Sequence, residues 1–216
     1  MSLRAHLAGL GARFDSAALR PPDEAREPDN TDSQRPEVAA AQAALQPALM
    51  AWCTDGAGPG GSPFWQPGGL PRVQLRYAEA RLSGPDAATL QALAQAFARV
   101  IDGSTLLAAR PGRIVGLALR LQVKLADALW WRRRRFDDPW DAGFLIDTPA
   151  AAGQIQQRFQ PRRATLLIAD GLTPQRLQMC RQALAGRSAR LRHPLRLLVL
   201  QADGGTLRLQ PVPSLL

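Results

Sequence analysis

The sequence predicts an α/β fold: a small, mostly parallel sheet with an antiparallel edge hairpin, preceded by N-terminal helices and a disordered acidic linker. Three observations predict it. Short apolar runs alternate with helical patterns in the last third of the chain, an Asp-Gly-Gly turn joins the last two runs, and residues 14–37 are rich in Pro, Asp, Glu and Ser. We therefore expect a short helix plus a disordered linker over residues 1–36 and a single α/β domain over residues 37–216.

The chain after residue 140 predicts strands and helices in alternation. Apolar runs bounded by turn residues predict strands at 143–147, 164–170, 194–201 and 206–212, and the segments 150–160 and 173–186 predict helices. Thr173 is expected to cap the second helix, with Pro174 in its first turn. Because parallel strands are joined by right-handed crossovers, this order predicts a parallel layer with the final run as its antiparallel edge.

The chain before residue 140 is less regular. Alternating apolar residues predict a strand at 73–77, and apolar spacing predicts helices at 2–12, 37–52 and 85–101, the second with a break or kink at Pro47. Gly and Pro dominate residues 54–71, which predicts a loop. Residues 113–136 allow two interpretations, because the first half alternates like a strand while the second half, from Ala126, favours a helix.

The chain is strongly basic and its charge is unevenly distributed. It holds 27 cations and 18 carboxylates, a net charge of +9. Residues 1–60 carry a balance of −3, and residues 61–216 carry +12. A basic body with an acidic arm is typical of chains that bind polyanions, although an inert basic surface, or one paired with an acidic protein partner, fits the same balance.

The stretch LWWRRRRFDDPWD, residues 129–141, combines arginines with aromatic side chains. Arginine forks onto phosphates and exposed aromatic rings stack on bases, which is the combination that single-stranded nucleic acid binding uses. The alternative is a packed helix end, in which a tryptophan faces the core and neighbouring aspartates neutralise the arginines. The candidate nucleic-acid contacts in this stretch are Trp131, Arg132, Arg133, Arg134 and Arg135.

Further arginines precede the predicted parallel strands. One group consists of Arg158, Arg162 and Arg163, and the other of Arg187, Arg190, Arg192 and Arg196. Because the amino ends of parallel strands share one edge, both groups should gather there and form a basic face. Arg162 and Arg163 join the candidate nucleic-acid contacts, and the alternative is that these arginines are scattered over solvated loops.

Asp147 and Asp170 each follow an apolar strand directly. Both are expected at the carboxyl edge of the sheet, where α/β folds place ligands. Two carboxylates there could hold a metal or act as acid and base. The alternative is that each aspartate caps the following helix or makes the turn.

The stretch WDAGFLIDTPAAAG, residues 140–153, resembles the Asp-Thr-Pro segment of the ParA/MinD-type deviant-Walker ATPases. In that family the segment ends a core strand near the nucleotide, and a second core strand follows at a distance like that from Asp147 to Ile168. The resemblance covers residues 140–185. Because the family's lysine-bearing phosphate loop has no counterpart upstream, the resemblance implies a degenerate relative that does not hydrolyse nucleotide.

Several chemistries lack the residues that they require. The Gly-rich loop at 54–71 has no lysine, so it is not a Walker A site. His6 and His193 are the only histidines, and Cys180 lies in a helix where a core position is expected. Cys53 and Cys180 are too few for a disulfide framework or a zinc site. We therefore expect no enzyme activity, no cofactor and no metal.

The favoured hypothesis is a non-catalytic nucleic-acid-binding module, for RNA or DNA, that works as a cytoplasmic subunit of a larger bacterial assembly. The alternative is a degenerate nucleotide-fold scaffold that acts through protein–protein contacts, with its N-terminal arm docking on a partner. An enzyme that uses Asp147 and Asp170 with a metal ranks last. No membrane span is expected, because no apolar run approaches roughly 18 residues.

Overall fold

The computed structural model describes residues 18–21, 36–54, 76–102, 140–157, 159, 161, 164–191 and 193–212. A short 3₁₀ turn, Ser188–Arg190, precedes the fifth strand. None of the described helices is long and apolar enough to span a membrane. The strands and helices within these residues are, in chain order, β1 (Leu19–Arg20), α1 (Pro36–Cys53), β2 (Tyr77–Gly84), α2 (Ala87–Ile101), β3 (Asp141–Leu145), α3 (Pro149–Gln157), β4 (Thr165–Ala169), α4 (Pro174–Gly186), β5 (Leu195–Ala202) and β6 (Arg208–Val212).

All six described strands lie in one sheet, in the order β1-β3-β4-β5-β2-β6. The central strands β3, β4, β5 and β2 are parallel, whereas β1 and β6 pair antiparallel at the two edges. The register between β2 and β5 runs from Tyr77 opposite Leu195 to Gly84 opposite Ala202. The structure therefore confirms the predicted α/β class, with a mostly parallel sheet and an antiparallel edge strand. The predicted hairpin is wrong, because β6 pairs with β2 and not with β5, its neighbour in the chain.

Helices cover both faces of the sheet. α2 lies in the crossover from β2 to β3, which passes β5 and β4. α3 connects β3 to β4 and α4 connects β4 to β5, so these crossovers run across the sheet in the opposite direction. Right-handed crossovers that run in opposite directions place their helices on opposite faces, so α2 packs on one face and α3 and α4 on the other. α1 lies on the same face as α2 and shares its apolar cluster.

Alternate residues of the central strands serve the two faces. Leu166 and Ile168 of β4 belong to the same cluster as Phe97 of α2, whereas Leu167 belongs to the cluster that contains Ile155 of α3. Every residue of β4 is buried. The unbroken apolar run of this strand follows from its position between two layers of helices.

Two helix features test the sequence patterns. Of the predicted stripe Leu90, Leu93, Phe97 and Val100 of α2, the first three residues are buried and Val100 is partly buried. α1 continues through Pro47 instead of breaking there. The proline has no N–H to donate to the carbonyl of Ala43, and both residues are exposed.

Two predictions from the sequence need correction. The strand predicted at 73–77 begins at Tyr77 and continues to Gly84, because pairing with β5 and β6 outweighs the low strand propensity of its Ala, Glu and Gly residues. Within the predicted linker at 14–37, Leu19 and Arg20 form an edge strand and Leu19 is buried. The predictions for 2–12, 55–71, 73–75 and 113–136 lie outside the described residues.

Substitutions at two glycines distinguish the effect of backbone strain on stability from the effect of side-chain packing. An added Cβ would meet no atom within 4 Å at Gly153, in α3, or at Gly171, after β4. Gly171 has φ +64°, which side chains disfavour. We expect Gly153→Ala to raise the free energy of unfolding by about 0.5–1 kcal/mol. Gly171→Ala should lower it by about 1–2 kcal/mol. Urea unfolding measures both, and shifts of the same sign would contradict the backbone assignment.

Candidate functional site: the two edges of the sheet

Each of the four parallel strands is followed by an aspartate. Asp86 follows β2, Asp147 follows β3, Asp170 follows β4 and Asp203 follows β5. The sheet therefore has an acidic carboxyl edge, at the position where α/β proteins commonly bind ligands. The prediction that Asp147 and Asp170 share this edge is confirmed, because β3 and β4 are neighbouring parallel strands.

The Asp147 carboxylate is held by α4. Its Oδ1 lies 2.6 Å from Arg176 Nη1, and the same nitrogen donates to the Asp147 carbonyl at 2.8 Å. Asp147 does not cap the following helix, because the Thr148 hydroxyl oxygen accepts from the Ala151 N–H at 3.2 Å. Asp147 thus joins the turn between β3 and α3 to the first turn of α4.

Asp170 has a different environment, since no group among the described residues donates a hydrogen bond to its carboxylate. Burial raises the pKa of Asp170 above its ordinary value, and the charge of Arg20 acts in the opposite direction. Gly171 follows in the left-handed backbone region, so Asp170 stands at a tight turn, as one of the two interpretations expected.

The start of α2 is occupied by the chain's own carboxylate. Asp86 Oδ1 accepts from the Thr89 N–H and Oδ2 accepts from the Thr89 hydroxyl, both at 2.7 Å. Helix N-termini at this edge of α/β folds commonly hold phosphate groups. Here the Asp86 carboxylate takes the position that such an anion would use.

The turn that connects β5 to β6 contacts the end of β2. The Asp203 N–H donates to the Gly84 carbonyl at 3.0 Å. Arg208 donates to Asp203 Oδ2 at 3.1 Å and to the Ser83 hydroxyl oxygen at 3.2 Å. The part of the chain that the structure describes contains no group of three or more His, Cys, Asp or Glu residues that could hold a metal ion.

Arginines at the amino edge tie helices together. Arg187, beyond the end of α4, donates to the carbonyls of Ala183, Phe159 and Ile155. Its guanidinium therefore joins the carboxyl ends of α3 and α4, and burial lowers the pKa of Arg187. Arg76, which precedes β2, donates to the Leu191 carbonyl at 2.7 Å.

The basic group predicted before β5 is divided. Arg196 is fully buried and donates to the carbonyls of Trp52 and Leu195, at 3.4 and 3.2 Å, so it fixes the end of α1 to β5. Arg187 serves the fold in the same way, whereas Arg190 is exposed. Arg192 lies outside the described residues.

The predicted nucleic-acid contacts lie outside the described residues, but the points where their segments join the sheet are described. The Asp141 N–H donates to the Ala164 carbonyl at 2.9 Å. The two arginine-bearing segments therefore meet the amino edge side by side. Trp140 is buried in the core, which removes it from base stacking. The predicted contacts that lie outside the described residues are Trp131, Arg132, Arg133, Arg134, Arg135, Arg162 and Arg163.

The described residues on either side of 103–139 are hydrogen-bonded to each other. The Trp140 N–H donates to the Ile101 carbonyl at 3.0 Å. The end of α2 and the beginning of β3 are thus held together by a main-chain hydrogen bond. The four-arginine run lies between these two elements in the sequence.

The sequence gives no sign of a partly buried ion pair between β2 and α4. Arg181 Nη2 and Nε donate to the two carboxylate oxygens of Glu79, at 2.5 and 3.0 Å. The Tyr77 hydroxyl donates to the same carboxylate at 3.4 Å, and burial and the Glu79 charge raise the pKa of Tyr77. Residue spacing carries no signal for this contact, because Glu79 and Arg181 lie 102 positions apart.

The described residues hold only a small part of the net charge. They include ten arginines and eight carboxylates, a balance of +2 out of +9 for the whole chain. Arg176, Arg181 and Arg208 are among these arginines and form ion pairs with carboxylates. Most of the excess positive charge therefore belongs to the other segments, including the four-arginine run.

Comparison with protein-family models, curated proteins and solved structures finds no match for this chain. The likeness of residues 140–185 to the deviant-Walker ATPases stays a prediction. The functional argument rests on the geometry of the two edges.

Removing the Glu79 charge should destabilise the fold, because it leaves the Arg181 guanidinium without its carboxylate. We expect Glu79→Gln to lower the free energy of unfolding by about 2 kcal/mol. Arg208→Gln serves as a control, since its ion pair is more exposed and should contribute less than about 1 kcal/mol. Urea unfolding measures both, and equal losses would contradict the difference in burial.

Stability should depend on pH through Asp170. Because its pKa is raised in the folded chain, the folded state retains this proton more tightly than the unfolded state, and stability falls as pH rises from about 4. We expect Asp170→Asn to remove this decrease, so that the variant is more stable than the unchanged chain at pH 7 and equal to it below about pH 3.5. Urea unfolding across this range tests the expectation, and a less stable variant at pH 7 would contradict it.

Proposed function

We propose that the protein is a non-catalytic nucleic-acid-binding module, and that its arginine-rich face lies at the amino edge of the sheet. The observation that carries the proposal is the hydrogen bond from the Asp141 N–H to the Ala164 carbonyl. It supports a shared face because the two arginine-bearing segments leave the sheet from adjacent points.

Chain length limits how far the cations can separate. Arg135 stands five residues before Trp140, and Arg163 stands directly before Ala164. A fully extended chain spans at most about 3.6 Å per residue, so Arg135 lies within about 18 Å of Trp140. Arg190, which is exposed, lies in the turn that precedes β5, the neighbour of β4.

The opposite edge carries the wrong charge for a polyanion. Asp86, Asp147, Asp170 and Asp203 all lie at the carboxyl edge. Arg176 and Arg208 neutralise two of these carboxylates, and the acidic charge that remains favours an orientation in which a phosphate backbone meets the amino edge. The same edge offers little for catalysis, because Asp86 and Asp147 are engaged by Thr89 and Arg176.

Neutralising the four-arginine run tests the proposal. We expect replacement of Arg132, Arg133, Arg134 and Arg135 by Gln to weaken binding of a labelled single-stranded oligonucleotide across sequences. The slope of log K against log salt should become less negative by about 3, as expected for the loss of four phosphate contacts. Fluorescence anisotropy at several salt concentrations measures both quantities.

A matched variant separates local contact from net charge. Replacing Gln175, Gln178, Gln182 and Gln210 by Glu lowers the net charge by the same amount, and all four residues are exposed. This control should reduce binding less and change the salt slope less than the arginine variant. Equal effects of the two variants, or no measurable binding by the unchanged chain, would contradict a nucleic-acid face at these arginines.

A protein scaffold is the second candidate function. It is favoured by the near balance of charge within the described residues and by the number of arginines engaged inside the fold. The two candidates differ in one measurement. A scaffold gains thermal stability from its protein partner and shows no salt-dependent affinity for oligonucleotides.

A further inference from the structure

β1 pairs with the outer edge of β3 over only two residues. Leu19 lies opposite Leu145, and Arg20 lies opposite Phe144. Pro21 follows immediately and lacks the N–H that would extend the ladder. Within the described residues, the ladder between this segment and the sheet is therefore two residues long.

One side chain provides most of the anchoring of β1. Leu19 is 1% exposed and belongs to the apolar cluster that contains Leu145 and Ile155. Ala18 is 0% exposed, and its carbonyl accepts from the Ile146 N–H at 3.1 Å. A small residue thus precedes a leucine that packs into the apolar cluster beside β3.

A positive charge completes the pattern of this segment. Arg20 is exposed, and its charge acts on the Asp170 carboxylate at the end of β4. The segment that occupies the position beside β3 therefore has three features: a small residue, a leucine and a cation. These features come from the segment that occupies the position in this chain.

We propose that the outer edge of β3 is a strand-addition site for an extended peptide of a partner protein with the pattern small–Leu–basic, and that residues 18–20 occupy this site in cis as a competitor. Closing β1 orders several residues for the burial of one leucine, so the segment opens without unfolding the sheet. The uncovered N–H and C=O groups of β3 then accept another strand.

A labelled peptide tests the site in the full chain. The probe is a fluorescein-labelled peptide with the sequence of residues 16–21, Ser-Ala-Ala-Leu-Arg-Pro. We expect the Leu19→Asp variant to bind this probe at least about tenfold more tightly than the unchanged chain, because its own residues 18–20 no longer occupy the edge of β3. Met179→Asp makes the same kind of change at an exposed residue and should bind like the unchanged chain.

Amide hydrogen exchange provides the second measurement. In the unchanged chain, the Ile146 amide should exchange through a local opening, faster than the Leu167 amide in β4. In Leu19→Asp it should lose protection, and the probe peptide should restore it. A folded Leu19→Asp chain that does not bind the probe would overturn the proposal. Equal exchange free energies for Ile146 and Leu167 in the unchanged chain would also overturn it, whether or not Leu19→Asp folds.

Discussion

The parallel ladder between β2 and β5 is the contact on which the rest of the architecture depends. In the described sheet β5 is the only parallel neighbour of β2, and β6 is attached through β2 alone. The ladder also brings the end of β2 into line with the ends of the other parallel strands. Without this register the four aspartates that follow the strands would not share an edge, and the turn from β5 to β6 would have no strand end to contact.

Sequence patterns predicted the elements whose signals are local. The apolar run of β4 could be predicted because helices bury both faces of this strand. The stripe of α2 could be predicted because one side of the helix is buried, so that its apolar residues recur with the helical period. β2 was misplaced because Ala78–Gly84 has weak strand propensity and is held by partners more than a hundred residues away. β1 was missed because two residues carry no periodicity. The ion pair between Glu79 and Arg181 joins residues that are distant in the sequence, and neither residue type indicates which residue it will contact.

The polarity of the two edges has a cause within the fold itself. α2, α3 and α4 begin at the carboxyl edge and end at the amino edge, so their dipoles favour carboxylates at the first edge and cations at the second. Asp86 and Arg187 occupy such positions and bind helix ends directly. A polyanion that approaches the amino edge therefore uses a charge distribution that already stabilises the helices, and Arg190 is an exposed member of it.

The strand order also constrains how the chain is made. β2 lies between β5 and β6, which are the last two strands in the described residues. During synthesis β2 remains without either neighbour until residues 195–212 have left the ribosome, long after β2 itself has emerged. Its two unpaired edges must be kept from other chains throughout that interval, and contacts between such distant residues form slowly. This delay leaves both edges of β2 open to pairing with other nascent chains until the last two described strands are available.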